Sequence, residues 1–136
     1  MTTDDKIKTF LAGKRFAVVG ASQDRSKYGN KVLRVYQQNK RDVVPVNTKG
    51  DEVEGLKAYP SLSSIPGPID GVSIITPPPI TERIVNEAIQ NGIKNIWMQP
   101  GAESDAAVKA AEQEDANVIA GGPCILVALR FHEDNA

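Results

Sequence analysis

The sequence predicts an α/β protein of the Rossmann-like, doubly wound type: a mostly parallel five-stranded sheet with helices on both faces. Two observations predict it. Short apolar runs of strand length alternate with amphipathic stretches at helical spacing, and the connections between runs are too long for hairpins. Right-handed crossovers then place each helix over the sheet.

The elements follow in order. A polar lead carries Ile7, Phe10 and Leu11 at helical spacing, and Arg15 to Gly20 is an apolar run that reads as a buried parallel strand. Tyr28 to Asn39 places Val32, Val35 and Tyr36 on one helical face. Asp42 to Val46 is the second strand, Asn47 to Asp51 a turn, and Tyr59 to Pro68 a proline-punctuated connection with room for one helical turn. Asp70 to Thr76 is the third strand, broken by Pro77, Pro78 and Pro79. A helix from Ile80 to Asn91 follows, with Gly92 as its stop. Asn95 to Gln99, an alanine-rich helix over Glu103 to Glu114, and a strand Asn117 to Ala120 closed by Gly121 and Gly122 complete the pattern.

The chain has 136 residues, 40% hydrophobic and 24% charged, which suits one domain over residues 1–136. Sixteen basic and seventeen acidic residues leave a net charge of -1, so no global field recruits nucleic acid or an anionic membrane. With Cys124 as its single cysteine and His132 as its single histidine, the sequence offers neither an internal disulfide nor a structural zinc cluster. The acidic start does not resemble a signal peptide and no apolar run is long enough to span a bilayer. A cytoplasmic protein is expected.

In a doubly wound sheet, ligands bind outside the carboxyl ends of the strands. Four short groups stand there: Gly20-Ala21-Ser22, Asn47-Thr48-Lys49, Thr76-Pro77-Pro78 and Gln99-Pro100-Gly101. A glycine directly after the first strand lets backbone amides approach a phosphate, and the next helix offers its positive end. Ser22 adds a hydroxyl, and Arg25 and Lys27 in the same loop can pair with diphosphate oxygens. The dinucleotide fingerprint is incomplete, since Ser22 and Arg25 stand where its later glycines belong. The second strand ends in Asn47 and Lys49 rather than an acid, which suits a phosphorylated ribose: NADP with its 2′-phosphate or coenzyme A with its 3′-phosphate.

Catalytic patterns are sparse. Neither a Walker A loop nor G-x-S-x-G occurs, and no histidine is placed by sequence to activate Cys124, which reads better as a small buried residue. Trp97 and Met98 read as core, His132 as an exposed tail residue, and Asp24, Asp70 and Glu103 form no obvious acid–base pair.

With these residues in view, the sequence resembles the small stand-alone CoA-binding proteins, whose domain is similar to the N-terminal domain of the succinyl-CoA synthetase alpha subunit. The resemblance rests on Val18 to Ser22, Val44 to Asn47, Tyr59 to Leu62 with Ile65-Pro66, Ile69 to Val72, and Ile96 to Ala102, in that order and spacing. It implies that Gly20, Ala21 and Ser22 cradle the CoA diphosphate and that Asn47 and Lys49 border the adenosine and its 3′-phosphate. Thr76, Pro77 and Pro78 would line the adenine side or the start of the pantetheine arm, with Gln99 and Gly101 nearby. The phosphohistidine of the synthetase belongs to a second domain that the resemblance does not cover, so ligase activity does not carry over. The expectation is a non-catalytic binder of coenzyme A or acyl-CoA. The alternatives are an NADP-binding oxidoreductase or nucleotide-binding subunit that needs a partner, and a regulatory protein with a vestigial crevice.

Overall fold

The computed structural model describes residues 1–133. Helix α1 (Thr3–Leu11) starts with a capping box, in which Thr2 Oγ1 accepts the Asp5 N–H and the Asp5 carboxylate accepts the Thr2 N–H. It is followed by β1 (Arg15–Val19), α2 (Tyr28–Gln38) and β2 (Asp42–Val46). A short hairpin comes next, β3 (Glu52–Val53) and β4 (Leu56–Lys57), then a single 3-10 turn over Leu62–Ser64. The chain continues through β5 (Gly71–Ile74), α3 (Pro78–Gln90), β6 (Asn95–Met98), α4 (Asp105–Gln113), β7 (Asn117–Ile119) and α5 (Ile125–Ala128).

The main sheet has five strands in the order β2-β1-β5-β6-β7, and each neighbouring pair is parallel. The expected α/β class and doubly wound architecture are therefore present. The chain steps from β1 outward to β2 and then returns to the other side of β1 to lay down β5. This reversal makes the gap at the ends of β1 and β5 the switch point of the sheet.

Alternation along the strands sorts two cores. Ala17, Val19, Val46, Val72 and Ile74 pack under α3, α4 and the 3-10 turn. Phe16, Val18, Val43, Trp97 and Ile119 pack under α1, α2 and α5. That second face is aromatic: Phe16 stacks on Phe10 at 5.4 Å and on Tyr36 at 5.1 Å, and Trp97 meets Phe10 edge-on at 5.3 Å. Trp97 and Met98 are fully buried, as the sequence predicts.

The amino ends of the strands are stitched together by side chains. Asp70 Oδ2 accepts the N–H groups of Lys14 at 2.8 Å and Arg15 at 2.9 Å, which hold its carboxyl below the usual range. Arg15 donates to the carbonyl of Pro66, Asn95 to that of Asp70, and Asn117 to that of Lys6 and to Asn95 Oδ1.

Three local features differ from the sequence reading. The stretch after Asn47 contains the β3–β4 hairpin, although no hairpin was expected; its strands are too short for a period to show. Beyond it, Tyr59 bridges Val46 in parallel, donating its N–H to Pro45 O at 3.1 Å and accepting that of Asn47 at 2.9 Å. Pro77 to Pro79 do not precede the third helix as a separate break: Pro77 caps α3, and Pro78 and Pro79 form its first turn, where a missing N–H costs nothing. The turn expected after β7 leads directly into α5.

Candidate functional site

A crevice of about 780 Å³ opens at the carboxyl end of β1 and β2. Val19 and Val46 line it together with Gly20, Ala21, Asn47 and Thr48 of the turns that follow them, Pro60 and Ser61 of the connection, Thr76 after β5, and Ile80, Arg83 and Ile84 of α3. It lies at the switch point, and it has the mixed lining of a small-molecule site: apolar sides with a few polar groups.

The turn after β1 is built for close backbone approach. Gly20 has φ +99, and a Cβ there would stand 2.1 Å from the Ile75 carbonyl oxygen. Gly29, at the second position of α2, carries the matching requirement: a Cβ would stand 2.0 Å from the Gly20 carbonyl oxygen. The first turn of α2 thus rests directly on the turn after β1. Its cap residue Lys27 makes no side-chain capping bond, so the first N–H groups of α2 have no side chain assigned to them.

Between Gly20 and α2 the loop is ordered by polar turns. Ser22 Oγ accepts the Asp24 N–H at 3.1 Å, and Asp24 Oδ1 accepts both the N–H and the hydroxyl of Ser26. Ser22 uses only its oxygen here, so its own hydroxyl hydrogen is available to an acceptor. A buried relay supports the loop from behind. Asn30 donates to the Ser22 carbonyl at 2.8 Å and to Glu54 at 3.1 Å, accepts from Arg34 Nε at 2.6 Å, and Arg34 donates to the Arg25 carbonyl. Gln23 and Gln37 reach the hairpin backbone at Glu52 and Glu54, so the hairpin clasps the loop.

The structure brings Gly20, Ala21, Asn47 and Thr76 together in the crevice, with Ser22 next in the chain. The Asn47 side chain is committed to shape, donating to Ala21 O at 2.9 Å and accepting the Lys49 N–H at 2.8 Å. Thr76 shares a 2.7 Å hydroxyl contact with Thr81. Lys49 is exposed and lies outside the lining, Lys27 is exposed at the start of α2, and Arg25 pairs with Glu54 at 3.2 Å. Pro77 and Pro78 are exposed at the head of α3 rather than in the crevice.

Gln99 and Gly101 belong to a different neighbourhood, beyond β6. Gln99 is fully buried; its Oε1 accepts the Ile125 N–H at 2.9 Å and the Tyr28 hydroxyl at 3.2 Å, while its Nε2 has no partner among the described residues. The Tyr28 hydroxyl also lies 2.7 Å from Cys124 Sγ, and burial, reinforced by that contact, raises the Tyr28 pKa. Cys124 is half-buried and lines a second groove of about 550 Å³ against α1. His132 is exposed, and its backbone pairs with the Gln38 side chain; Asp134 and Asn135, which surround it in the sequence, lie outside the described residues.

Sequence reasoning missed Gly29, Ser61, Arg83 and the Asn30–Arg34–Glu54 relay. Gly29 had a signal, a glycine at a helix start where propensity disfavours it. Arg83 had one too: it falls on the stripe Ile80, Arg83, Ile84, Glu87, so a helix that buries Ile84 carries Arg83 beside it.

Comparison with known proteins decides the family. A sequence model of the CoA binding domain matches residues 14–130. The chain belongs to the CoA-binding domain family. It is similar to the uncharacterized protein YneT of Bacillus subtilis, with 32% identity over 124 residues that cover 90% of this chain and 91% of that protein. It is 38% identical over 90 residues to the alpha subunit of ADP-forming acetate–CoA ligase II from Pyrococcus furiosus, covering 64% of this chain but 19% of the subunit. The chain therefore spans about a fifth of that ligase relative. Among solved structures, a hypothetical protein from Pyrococcus horikoshii superposes with a TM-score of 0.87 at 32% identity, covering 93% of this chain and 89% of that one. The resemblance drawn from the residues is thus confirmed at the level of the CoA-binding family. No helix among the described residues is long and apolar enough to cross a membrane.

Proposed function

We propose that this chain is a non-catalytic binding module for coenzyme A or an acyl-CoA, acting in the cytoplasm as one domain. The observation that carries the reading is the glycine turn after β1 pressed against an α2 amino end without a side-chain cap, directly beside a crevice of about 780 Å³. Backbone N–H groups, the Ser22 hydroxyl and the positive end of α2 suit a diphosphate. The apolar sides formed by Val46, Pro60, Ile80 and Ile84 suit a flat base. The residues present therefore fit CoA, which supplies the thiol chemistry when bound.

A binding role also fits what the crevice lacks. Its carboxylate, Glu87, is committed: Oε1 accepts the Leu62 N–H, and Oε2 accepts the N–H and hydroxyl of Ser63. It holds the 3-10 turn to α3 rather than presenting a base to a ligand. Calorimetric titration with CoA, 3′-dephospho-CoA, NAD and NADP at one fixed salt concentration tests the proposal, since phosphate contacts are screened by salt. CoA is expected to bind in preference to both nicotinamide dinucleotides. NADP preference, or no binding of CoA, would overturn the reading.

A further inference from the structure

Within the proposed CoA-binding reading, the polar groups of the crevice divide into those already used and those still free. Asn47, Thr76 and Glu87 are engaged in holding the fold. Ser61 and Ser63 are also engaged, donating to Ser64 Oγ and to Glu87 Oε2. Arg83 differs. It lies in the crevice wall, and among the described residues its side chain makes no hydrogen bond, ion pair or ring contact. It is also the cation of that lining, because Lys49 stands outside it.

An exposed guanidinium on the wall of a ligand-sized crevice is available to an acceptor with matching geometry. Two carboxylates stand near Arg83 along α3 and neither pairs with it: Glu82, the preceding residue, accepts the Ser104 hydroxyl, and Glu87, one turn on, accepts from Leu62 and Ser63. A phosphomonoester carries close to two negative charges at neutral pH and offers oxygens that a guanidinium fork engages in pairs. In the proposed CoA reading the diphosphate sits at the Gly20 turn and the start of α2. The anion left for the α3 wall is the monoester on the ribose.

We infer that Arg83 reads the 3′-phosphate of the ligand and so sets the preference for CoA over its dephosphorylated form, from α3 rather than from the end of β2. This assignment rests on the CoA reading and differs from the role that the family resemblance gives Lys49. Lys49 then contributes long-range attraction at the rim, which does not depend on which phosphate is present.

The test titrates CoA and 3′-dephospho-CoA into the wild-type protein and the variants Arg83→Gln, Arg83→Lys and Lys49→Ala at one salt concentration. Arg83 is exposed, so unchanged melting curves are expected for its variants. Arg83→Gln is expected to weaken CoA about tenfold while leaving 3′-dephospho-CoA within about twofold, as loss of a charge-assisted pair would do. Arg83→Lys is expected to fall between, keeping the charge without the fork. Lys49→Ala is expected to weaken both ligands equally, by less than about threefold. Equal losses for both ligands in Arg83→Gln, or selectivity that disappears in Lys49→Ala instead, would overturn the assignment. A wild-type protein that binds both ligands equally would also overturn it while leaving the CoA reading intact. A wild-type protein that binds neither would remove the CoA reading itself.

Discussion

The two ends of the sheet use polar side chains in opposite ways. At the amino ends, Asp70, Arg15, Asn95 and Asn117 spend their hydrogen bonds on neighbouring backbone, closing one segment to the next. At the carboxyl ends, β1 and β6 run out into glycine-containing turns at Gly20 and Gly101, the start of α2 lacks a side-chain cap, and Arg83 has no partner among the described residues. The amino end is closed mostly by the chain itself, with Asn117 Oδ1 left over among the described residues, whereas the carboxyl end, beside the engaged Asn47 and Gln99, leaves donors for something else to satisfy. Stability and binding should therefore respond to different substitutions.

Gly20→Ala is the variant expected to break that division. Its Cβ would meet the Ile75 carbonyl oxygen at 2.1 Å in a backbone region that favours glycine, so the turn must shift. CoA affinity is expected to fall at least about a hundredfold, with a lower melting temperature, because here the same atoms serve fold and ligand. Retained affinity would show that the diphosphate lies elsewhere.

Asp70→Ala sharpens the division from the other end. Removing the acceptor of the Lys14 and Arg15 N–H groups is expected to cost about 1 kcal/mol, reduced by its exposure, with CoA affinity unchanged within about twofold. The same carboxyl gives an acid limb. Its folded pKa lies below the ordinary 3.8, so its contribution is present above that value and is lost as pH falls through the lowered one. Asp70→Asn should flatten that limb in chemical denaturation. A fall in CoA affinity in either variant would show that the two ends are coupled.

Ser22→Ala has the smallest expected effect. Its hydroxyl contributes one neutral donor among several backbone donors, so affinity should drop about twofold to fivefold with little change in melting temperature. A larger loss would mean that the loop depends on the Ser22–Asp24 turn to hold its shape.

Most of the fold was legible because buried parallel strands and amphipathic helices carry strong periodic signals, as in Arg15 to Val19 and in Val32, Val35 and Tyr36. The β3–β4 hairpin and α5 were not, since two-residue strands and a four-residue helix are set by their neighbours rather than by their own sequence. At the crevice, strand-end logic pointed to Gly20, Ala21, Asn47 and Thr76, which line it. It was blind to Arg83, which comes from a helix flank, and to Asn30 and Arg34, whose burial inside an amphipathic helix no polar pattern announces.

Between β2 and β5 the chain pairs its backbone with the main sheet at one place, the Tyr59–Val46 bridge beyond β2, and its other ties run through side chains, from Gln23, Asn30 and Gln37 to the hairpin and from Glu87 to the 3-10 turn. Amide exchange should follow this thinness. Protons in β1, β5 and β6 should persist for the lifetime of the whole fold, while those from Thr48 to Ile65 exchange through local opening at much lower free energy. Because Pro60 and Ser61 form a crevice wall, an occupant would slow exchange most in the segment that is weakest without it.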